Sequence, residues 1–107
     1  MKKFIIEDDF WNLFPNAKIG VVVCNDIDNF IKDEKQYAEM ISNAENEALK
    51  HLQNEEFSSN PAIKVWREAF QKFKTKKGAR SSIEALLKRV HNGNHLGTIN
   101  PIVDIYN

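Results

Sequence analysis

The residues best suited to chemistry form a basic run between Lys72 and Arg80. Five of these nine residues are lysine or arginine, and none is acidic. Lysine and arginine side chains bind phosphate groups, and arginine can do so through two hydrogen bonds at once. The run therefore predicts contact with a phosphate backbone. The alternative is a solvated helix end, where lysines complement the negative end of the helix dipole.

Metal and cofactor chemistry has little support in the residue types. The chain has one cysteine, Cys24, and Asn92 and Gly93 interrupt the helix between His91 and His95, which argues against a zinc site. The four glycines are isolated from one another, which excludes a glycine-rich phosphate loop. No serine lies in the context of a catalytic nucleophile, and the acidic pairs are typical of solvated caps. We therefore predict no metal and no cofactor.

The composition indicates one small globular domain. The 107 residues carry 15 basic and 15 acidic side chains. A net charge of zero argues against non-specific binding to nucleic acid, which needs an excess of basic residues. The longest uncharged apolar run, residues 19–24, has six residues and is too short for a membrane span. We expect a cytoplasmic protein with no membrane and no DNA partner, and a buried Cys24 thiol within the apolar run.

Two segments predict β-strands. Residues 3–6 (KFII) form a short candidate, and residues 17–24 (AKIGVVVC) form a stronger one because they are rich in β-branched side chains. The second segment does not alternate between apolar and polar residues, which is typical of a central strand buried on both faces. Between the two segments, an aspartate cap at Asp8 and Asp9 predicts a short helix that ends at Pro15 and Asn16.

Helical periodicity characterises the rest of the chain. Residues 33–57 form the longest predicted helix. A second amphipathic helix carries one apolar stripe, which we expect to pack into the core and which consists of Ile63, Trp66, Phe70 and Phe73. Gly78 is predicted to end this second helix.

Two further helices have recognisable start signals. Ser81 and Glu84 form a possible capping box, and the helix that follows is predicted to end at Asn92 and Gly93. Asn100 as a cap and Pro101 as the first helical residue predict another helix start. The whole pattern predicts an α/β (α+β) fold in which a small mixed sheet packs against three to four helices.

Three segments together resemble one known domain. They are residues 66–70 (WREAF), residues 79–90 (ARSSIEALLKRV) and residues 99–107 (INPIVDIYN). In this order they resemble the free-standing relatives of the B-three/B-four domain of the phenylalanyl-tRNA synthetase beta subunit. The resemblance covers most of the chain, and residues 4–25 resemble the first strands of that domain.

The resemblance implies a fold and an activity. It implies that residues 1–107 are a single or partial domain corresponding to the N-terminal half of the editing domain. That domain hydrolyses the ester of a wrongly attached amino acid, chiefly tyrosine on phenylalanine tRNA, and the free-standing relatives act in trans. The family's histidine and glutamate most closely linked to the editing pocket follow the segment that residues 99–107 resemble. Deacylase activity is therefore expected of a chain completed by that second half.

The resemblance also implies candidate site residues but no assigned catalytic residue. The candidates for walls of the substrate pocket are Asn100, Asp104 and Asn107. Their alternative role is helix capping and turn formation. The candidates for contact with the acceptor end of tRNA are Lys74, Lys76, Lys77 and Arg80.

Two other roles are compatible with the same residues. The chain can be a non-catalytic module that keeps tRNA or protein contacts without a hydrolytic site. It can also form a homodimer in which each copy covers apolar surface of the other.

Overall fold

The computed structural model describes residues 2–30 and 32–107. These residues form the helices α1 (Asp8–Leu13), α2 (Glu34–Ala48), α3 (Pro61–Phe70), α4 (Ser82–His91) and α5 (Pro101–Tyr106). Short 3₁₀ turns at Leu49–His51 and Phe57–Ser59 lie between α2 and α3. None of these helices is both long and apolar enough to cross a membrane.

The predicted α/β fold with a small mixed sheet is wrong, because the described residues contain no β-strand. Residues 3–6 and 17–24 are irregular, and Val22 and Val23 are 87% and 78% exposed. Cys24 is likewise exposed and not buried. β-Branched residues favour an extended backbone, but a strand forms only where a neighbouring strand supplies hydrogen-bond partners. The described part of the chain supplies no such partner.

The helices enclose a small core. α2 packs against α4 and α5, and α3 packs against α4. The buried apolar side chains include Ile41, Leu52 and Ile63, and the buried polar side chains include Asn60, Glu84 and Asp104. Because a buried polar group is costly without a partner, the hydrogen bonds of Asn60, Glu84 and Asp104 contribute to holding the helices together.

Side-chain caps start three of the helices. The caps are Asp33, Ser81 and Asn100, which accept hydrogen bonds from the backbone N–H groups of Gln36, Glu84 and Val103 at 3.3, 3.1 and 3.0 Å. The helix starts predicted at Ser81 and Asn100 are therefore confirmed. α1 also lies where the sequence predicts it, but its N-cap is Glu7, which makes no side-chain hydrogen bond.

α2 is shorter than predicted, ending at Ala48 and not near Phe57. The reason is the buried side chain of Asn60, which is 1% exposed. Its Nδ2 donates to the Phe57 carbonyl at 2.9 Å, and its Oδ1 accepts from the Asn54 N–H at 2.9 Å. These bonds hold a tight loop before α3, and a continuous helix through residues 49–57 is incompatible with that loop.

α4 ends at His91, directly before the predicted stop signal. Gly93 has a φ of +79°, its N–H donates to the Val90 carbonyl at 3.0 Å, and the Asn94 N–H donates to the Arg89 carbonyl at 2.9 Å. This pair of bonds is the Schellman motif, in which glycine adopts the left-handed conformation without steric cost.

Glu45 on α2 holds the loop that connects α4 to α5. Its Oε1 accepts from the Leu96 N–H at 2.9 Å, its Oε2 lies 3.0 Å from His95 Nδ1, and its side chain is 12% exposed. Burial raises the pKa of Glu45, but the bonds from His95 and Leu96, with the nearby Arg89 charge, bring the pKa below its ordinary value. The ionised carboxylate is therefore the form that the fold stabilises.

Glu45 predicts a pH dependence of stability. Its contribution is fully present above the unfolded pKa of 4.5 and is lost as the pH falls through the lower folded pKa. We expect Glu45→Gln to lower stability at about pH 6 and to flatten the loss of stability between about pH 5 and pH 3. Urea unfolding at a series of pH values measures both effects.

Glu39→Gln is the control, because Glu39 is an exposed residue on the same helix. It should reproduce the wild-type dependence of stability on pH. A Glu45→Gln protein with the wild-type dependence would contradict the role assigned to Glu45.

Candidate functional site

A groove with a volume of about 630 Å³ lies between α3 and α4. It is open to solvent, and its walls combine aromatic, basic and small residues. The lining side chains include Trp66, Arg67 and Phe70 from α3, Phe73 and Arg80 from the following loop, and Glu84 from α4. The volume lies within the range of small-molecule sites. Two of the three segments that carry the family resemblance, residues 66–70 and 79–90, therefore face each other across this groove.

An ion pair between Arg67 and Glu84 joins the two helices at the groove. Arg67 Nε and Nη2 donate to the same oxygen, Glu84 Oε1, at 3.1 and 2.6 Å. The Glu84 side chain is only 7% exposed, while that of Arg67 is 50% exposed. The hydrogen bond to Glu84 raises the pKa of Arg67, although burial opposes this.

Glu84 forms only half of the predicted capping box. Its backbone N–H donates to Ser81 Oγ at 3.1 Å, as predicted. Its side chain is bound to Arg67 and does not make the return bond to Ser81. The short-range motif is thus correct for the backbone, while a partner 17 residues away binds the carboxylate.

The basic run lies in an exposed loop after α3. α3 ends at Phe70, so the prediction that Gly78 ends this helix is wrong, and the alternative in which the lysines form a helix end is wrong as well. Gly78 instead has a φ of +81° in a turn where the Ala79 N–H donates to the Lys76 carbonyl at 3.0 Å. Such a turn needs a residue that tolerates positive φ at this position.

All four predicted RNA-contact residues are exposed, namely Lys74, Lys76, Lys77 and Arg80. Within the described residues, none of these side chains forms a salt bridge. Arg80 lines the groove, together with Thr75 and Gly78 of the same loop. The loop thus contributes the unpaired cation of Arg80 to the groove lining, and Lys74, Lys76 and Lys77 lie on the same loop outside that lining.

The aromatic stripe of α3 is only partly buried. Ile63 is fully buried, but Trp66 and Phe73 are each 41% exposed, so the prediction of a core-packed stripe is only partly correct. Phe70 and Phe73 pack with their ring centroids 5.5 Å apart, and Phe14 lies 6.3 Å from Phe73. The groove therefore offers aromatic surface that is anchored on one side and accessible on the other.

The predicted substrate-pocket residues lie on α5, outside the groove lining. Asn100 caps α5, and Asp104 Oδ1 accepts from the Ile99 N–H at 2.8 Å. Asp104 is 5% exposed, and its Oδ2 is buried without a hydrogen-bond partner among the described residues. Asn107 is exposed and borders a separate hollow of about 310 Å³ next to Leu86. Their place in a substrate pocket remains a prediction.

The first turn of α5 has its backbone donors engaged. The Ile102 N–H donates to Asn29 Oδ1 at 2.9 Å, and the Val103 N–H donates to Asn100 Oδ1 at 3.0 Å. The Asp104 N–H continues the helix by donating to the Asn100 carbonyl. These groups are therefore occupied and do not act as donors to a developing oxyanion in this arrangement.

The histidines do not assemble a metal centre. His91 packs its ring 5.2 Å from that of Phe57, and His95 binds Glu45. Among the described residues, no group of three His, Cys, Asp or Glu side chains has the geometry to hold a metal ion.

Two features of the site have no sequence signal that could have revealed them. The Arg67–Glu84 pair joins residues on different helices, and the exposure of Trp66 and Phe73 depends on which surfaces pack. The capping-box pattern did single out Glu84, but it predicts only the backbone bond.

We expect the ion pair between Arg67 and Glu84 to contribute to the stability of the folded protein. Arg67→Ala leaves a buried carboxylate without its cation, so we expect a decrease of about 2 kcal/mol in the free energy of unfolding. Arg67→Lys keeps the charge but removes the paired donors, so we expect an intermediate decrease. Urea unfolding measures all three proteins.

Lys64→Ala is the matched control, because Lys64 is an exposed cation on the same helix. We expect it to change the stability by less than about 0.5 kcal/mol. If Arg67→Ala behaves like this control, the pair does not hold α3 against α4.

Comparison with known proteins gives no family assignment. No family model, no curated protein and no solved structure matches the chain. The resemblance to the synthetase editing domain therefore depends on the three motifs alone, and the candidate function depends on the geometry of the groove.

Proposed function

We propose that this chain is an RNA-binding module that binds the single-stranded acceptor end of tRNA in the groove between α3 and α4. The observation that carries the proposal is the juxtaposition of unpaired basic side chains with accessible aromatic rings. Arg80 lines the groove with Trp66 and Phe73, and Lys76 and Lys77 lie on the same loop.

The two kinds of side chain match the two parts of a nucleotide. Lysine and arginine bind the phosphates, and arginine does so with directional donors. Aromatic side chains stack on unpaired bases, which a duplex keeps stacked inside the helix. A groove that combines both therefore favours a single-stranded RNA end over a blunt duplex.

The positive charge is concentrated in the loop that follows α3. Residues 69–80 contain five basic residues and no acidic residue, although the whole chain has a net charge of zero. The nearest carboxylate in the groove, Glu84, is bound to Arg67. Positive charge along this edge attracts phosphate at short range, within about one Debye length at physiological salt.

The family resemblance supports the choice of tRNA among RNAs. The motifs at residues 66–70 and 79–90 form the two walls of the groove. In the editing domains that they resemble, the substrate is an aminoacyl-tRNA, and such a ligand also fits the expected cytoplasmic location. We therefore infer that tRNA is the RNA that this chain binds.

Binding without hydrolysis is the role that the groove supports best. Ester hydrolysis needs a positioned water, a base and donors for the oxyanion. Glu84, the carboxylate in the groove, is held by Arg67 at 2.6 Å, and the first-turn donors of α5 are occupied. Deacylation of tyrosyl-tRNA by the family's route is the alternative, and release of the amino acid distinguishes it from binding.

The binding test uses a labelled RNA hairpin that ends in a single-stranded CCA tail, with a blunt hairpin for comparison. We expect the tailed hairpin to bind more tightly. Replacing Lys74, Lys76, Lys77 and Arg80 by alanine should weaken binding at least about tenfold. The slope of log affinity against log salt concentration should become less steep by about 0.7 for each phosphate that is no longer neutralised. Trp66→Ala should weaken binding by about tenfold, because one base can no longer stack. Fluorescence anisotropy at several salt concentrations measures these effects.

The matched control replaces four other exposed lysines by alanine, namely Lys2, Lys3, Lys35 and Lys64. These replacements remove the same total charge. We expect this variant to bind the tailed hairpin with nearly wild-type affinity. Equal weakening by both sets of substitutions would show that binding follows net charge and would contradict a site in the groove.

Release of tyrosine from mischarged phenylalanine tRNA distinguishes binding from editing. We expect RNA binding by this chain with no release above the uncatalysed rate. Release by the wild-type chain above that rate would contradict a purely binding role and would support editing.

A further inference from the structure

The exposed run at residues 18–26 is the apolar feature that the RNA site does not use. Its side chains are largely solvent-exposed, with Val21 at 55%, Val22 at 87% and Val23 at 78%. Within the described residues, the backbone N–H and C=O groups of residues 18–26 make no hydrogen bond to protein. The uncharged part of this run, residues 19–24, is rich in β-branched side chains, and such a segment with free backbone groups is a template for strand pairing.

We propose that this segment pairs with the same segment of a second copy of the chain, as an antiparallel two-stranded ribbon centred on Val22. The symmetry of a two-copy complex requires each contact to occur twice. Centring on Val22 places Val22 opposite Val22 of the second copy and Val21 opposite Val23.

Charge complementarity selects this register. With Val22 at the centre, Lys18 of each copy lies opposite Asp26 of the other, so two oppositely charged pairs close the ends of the apolar run. Asp26 has a φ of +53° and stands at the turned end of the strand, where we expect the long Lys18 side chain of the other copy to pair with it. A parallel, in-register pair would instead oppose Lys18 with Lys18 and Asp26 with Asp26.

The local structure around Asp26 rejects the neighbouring register. A ribbon centred on Val23 would place Lys18 opposite Asp28, but Asp28 is already paired with Lys32 at 2.9 Å. Asp26 has a φ of +53°, which ends the extended direction of the chain before residue 28 is reached. The pairing is thus limited to about the length of the apolar run.

The alternation of side chains along the strand places most of the large apolar residues on one face of the ribbon. Successive side chains of a strand point to opposite faces. Ile19, Val21 and Val23 share one face, while Val22 and Cys24 lie on the other. In the dimer, the first set from both copies forms a continuous apolar surface.

A charge exchange tests the register. We expect wild-type protein to pass from monomer to dimer as its concentration rises in sedimentation velocity. Lys18→Glu or Asp26→Lys alone should weaken the dimer about three- to tenfold, since each places like charges opposite each other at both ends. The double variant should restore wild-type association. A wild-type chain that stays monomeric, or a double variant as weak as either single one, overturns the proposal.

Disulfide trapping supplies a second, independent test. In the proposed register, Cys24 lies opposite Gly20, so wild-type protein should form little disulfide-linked dimer. A Val22→Cys, Cys24→Ser protein should cross-link under mild oxidation, because its two new cysteines face each other within disulfide range. The matched control is Val23→Cys with Cys24→Ser. Its new cysteine lies opposite Val21 of the second copy, so this protein should cross-link much less. Equal cross-linking of both proteins, or growth into open polymers, contradicts the ribbon.

Discussion

The Arg67–Glu84 ion pair is the contact on which the arrangement of α3 and α4 depends. Glu84 is buried, and an ionised carboxylate in such a position is costly unless a cation and hydrogen bonds compensate it. Arg67 supplies both from the opposite helix, while the backbone of Glu84 starts α4 through Ser81. Ser81 therefore determines where α4 begins, and Glu84, in its first turn, determines how α4 meets α3. The width of the groove follows from that geometry.

Local signals predict much of the helical structure, and they do not predict its long-range contacts. Ser81, Asn100 and Gly93 act within one helical turn, so their effects are predictable from spacing. The sheet prediction is wrong because strand propensity in residues 17–24 cannot create a pairing partner. The predicted end of α2 is wrong because Asn60 acts on a loop through its buried side chain.

The candidate site is predictable in its charge but not in its shape. The basic run is visible because its residues are adjacent in sequence, and its exposure follows from the absence of apolar side chains around Lys76 and Lys77. The groove is not visible, because it forms between helices whose contact depends on Arg67 and Glu84, 17 residues apart. The role of Asn100 as a helix cap, in contrast, is predictable, because capping acts within one helical turn. The structure shows the predicted bond from the Val103 N–H to Asn100 Oδ1.

The hydrogen bond between Asn29 and Ile102 has a consequence for the time course of folding. It joins residues 73 positions apart, whereas most helix contacts are local. At translation rates of about 5–20 residues per second, Asn29 is synthesised roughly 4 to 15 seconds before Ile102. During that interval the neighbouring apolar run has no such anchor to α5. In a nascent chain the exposed apolar run therefore stays without this anchor until Ile102 has been made.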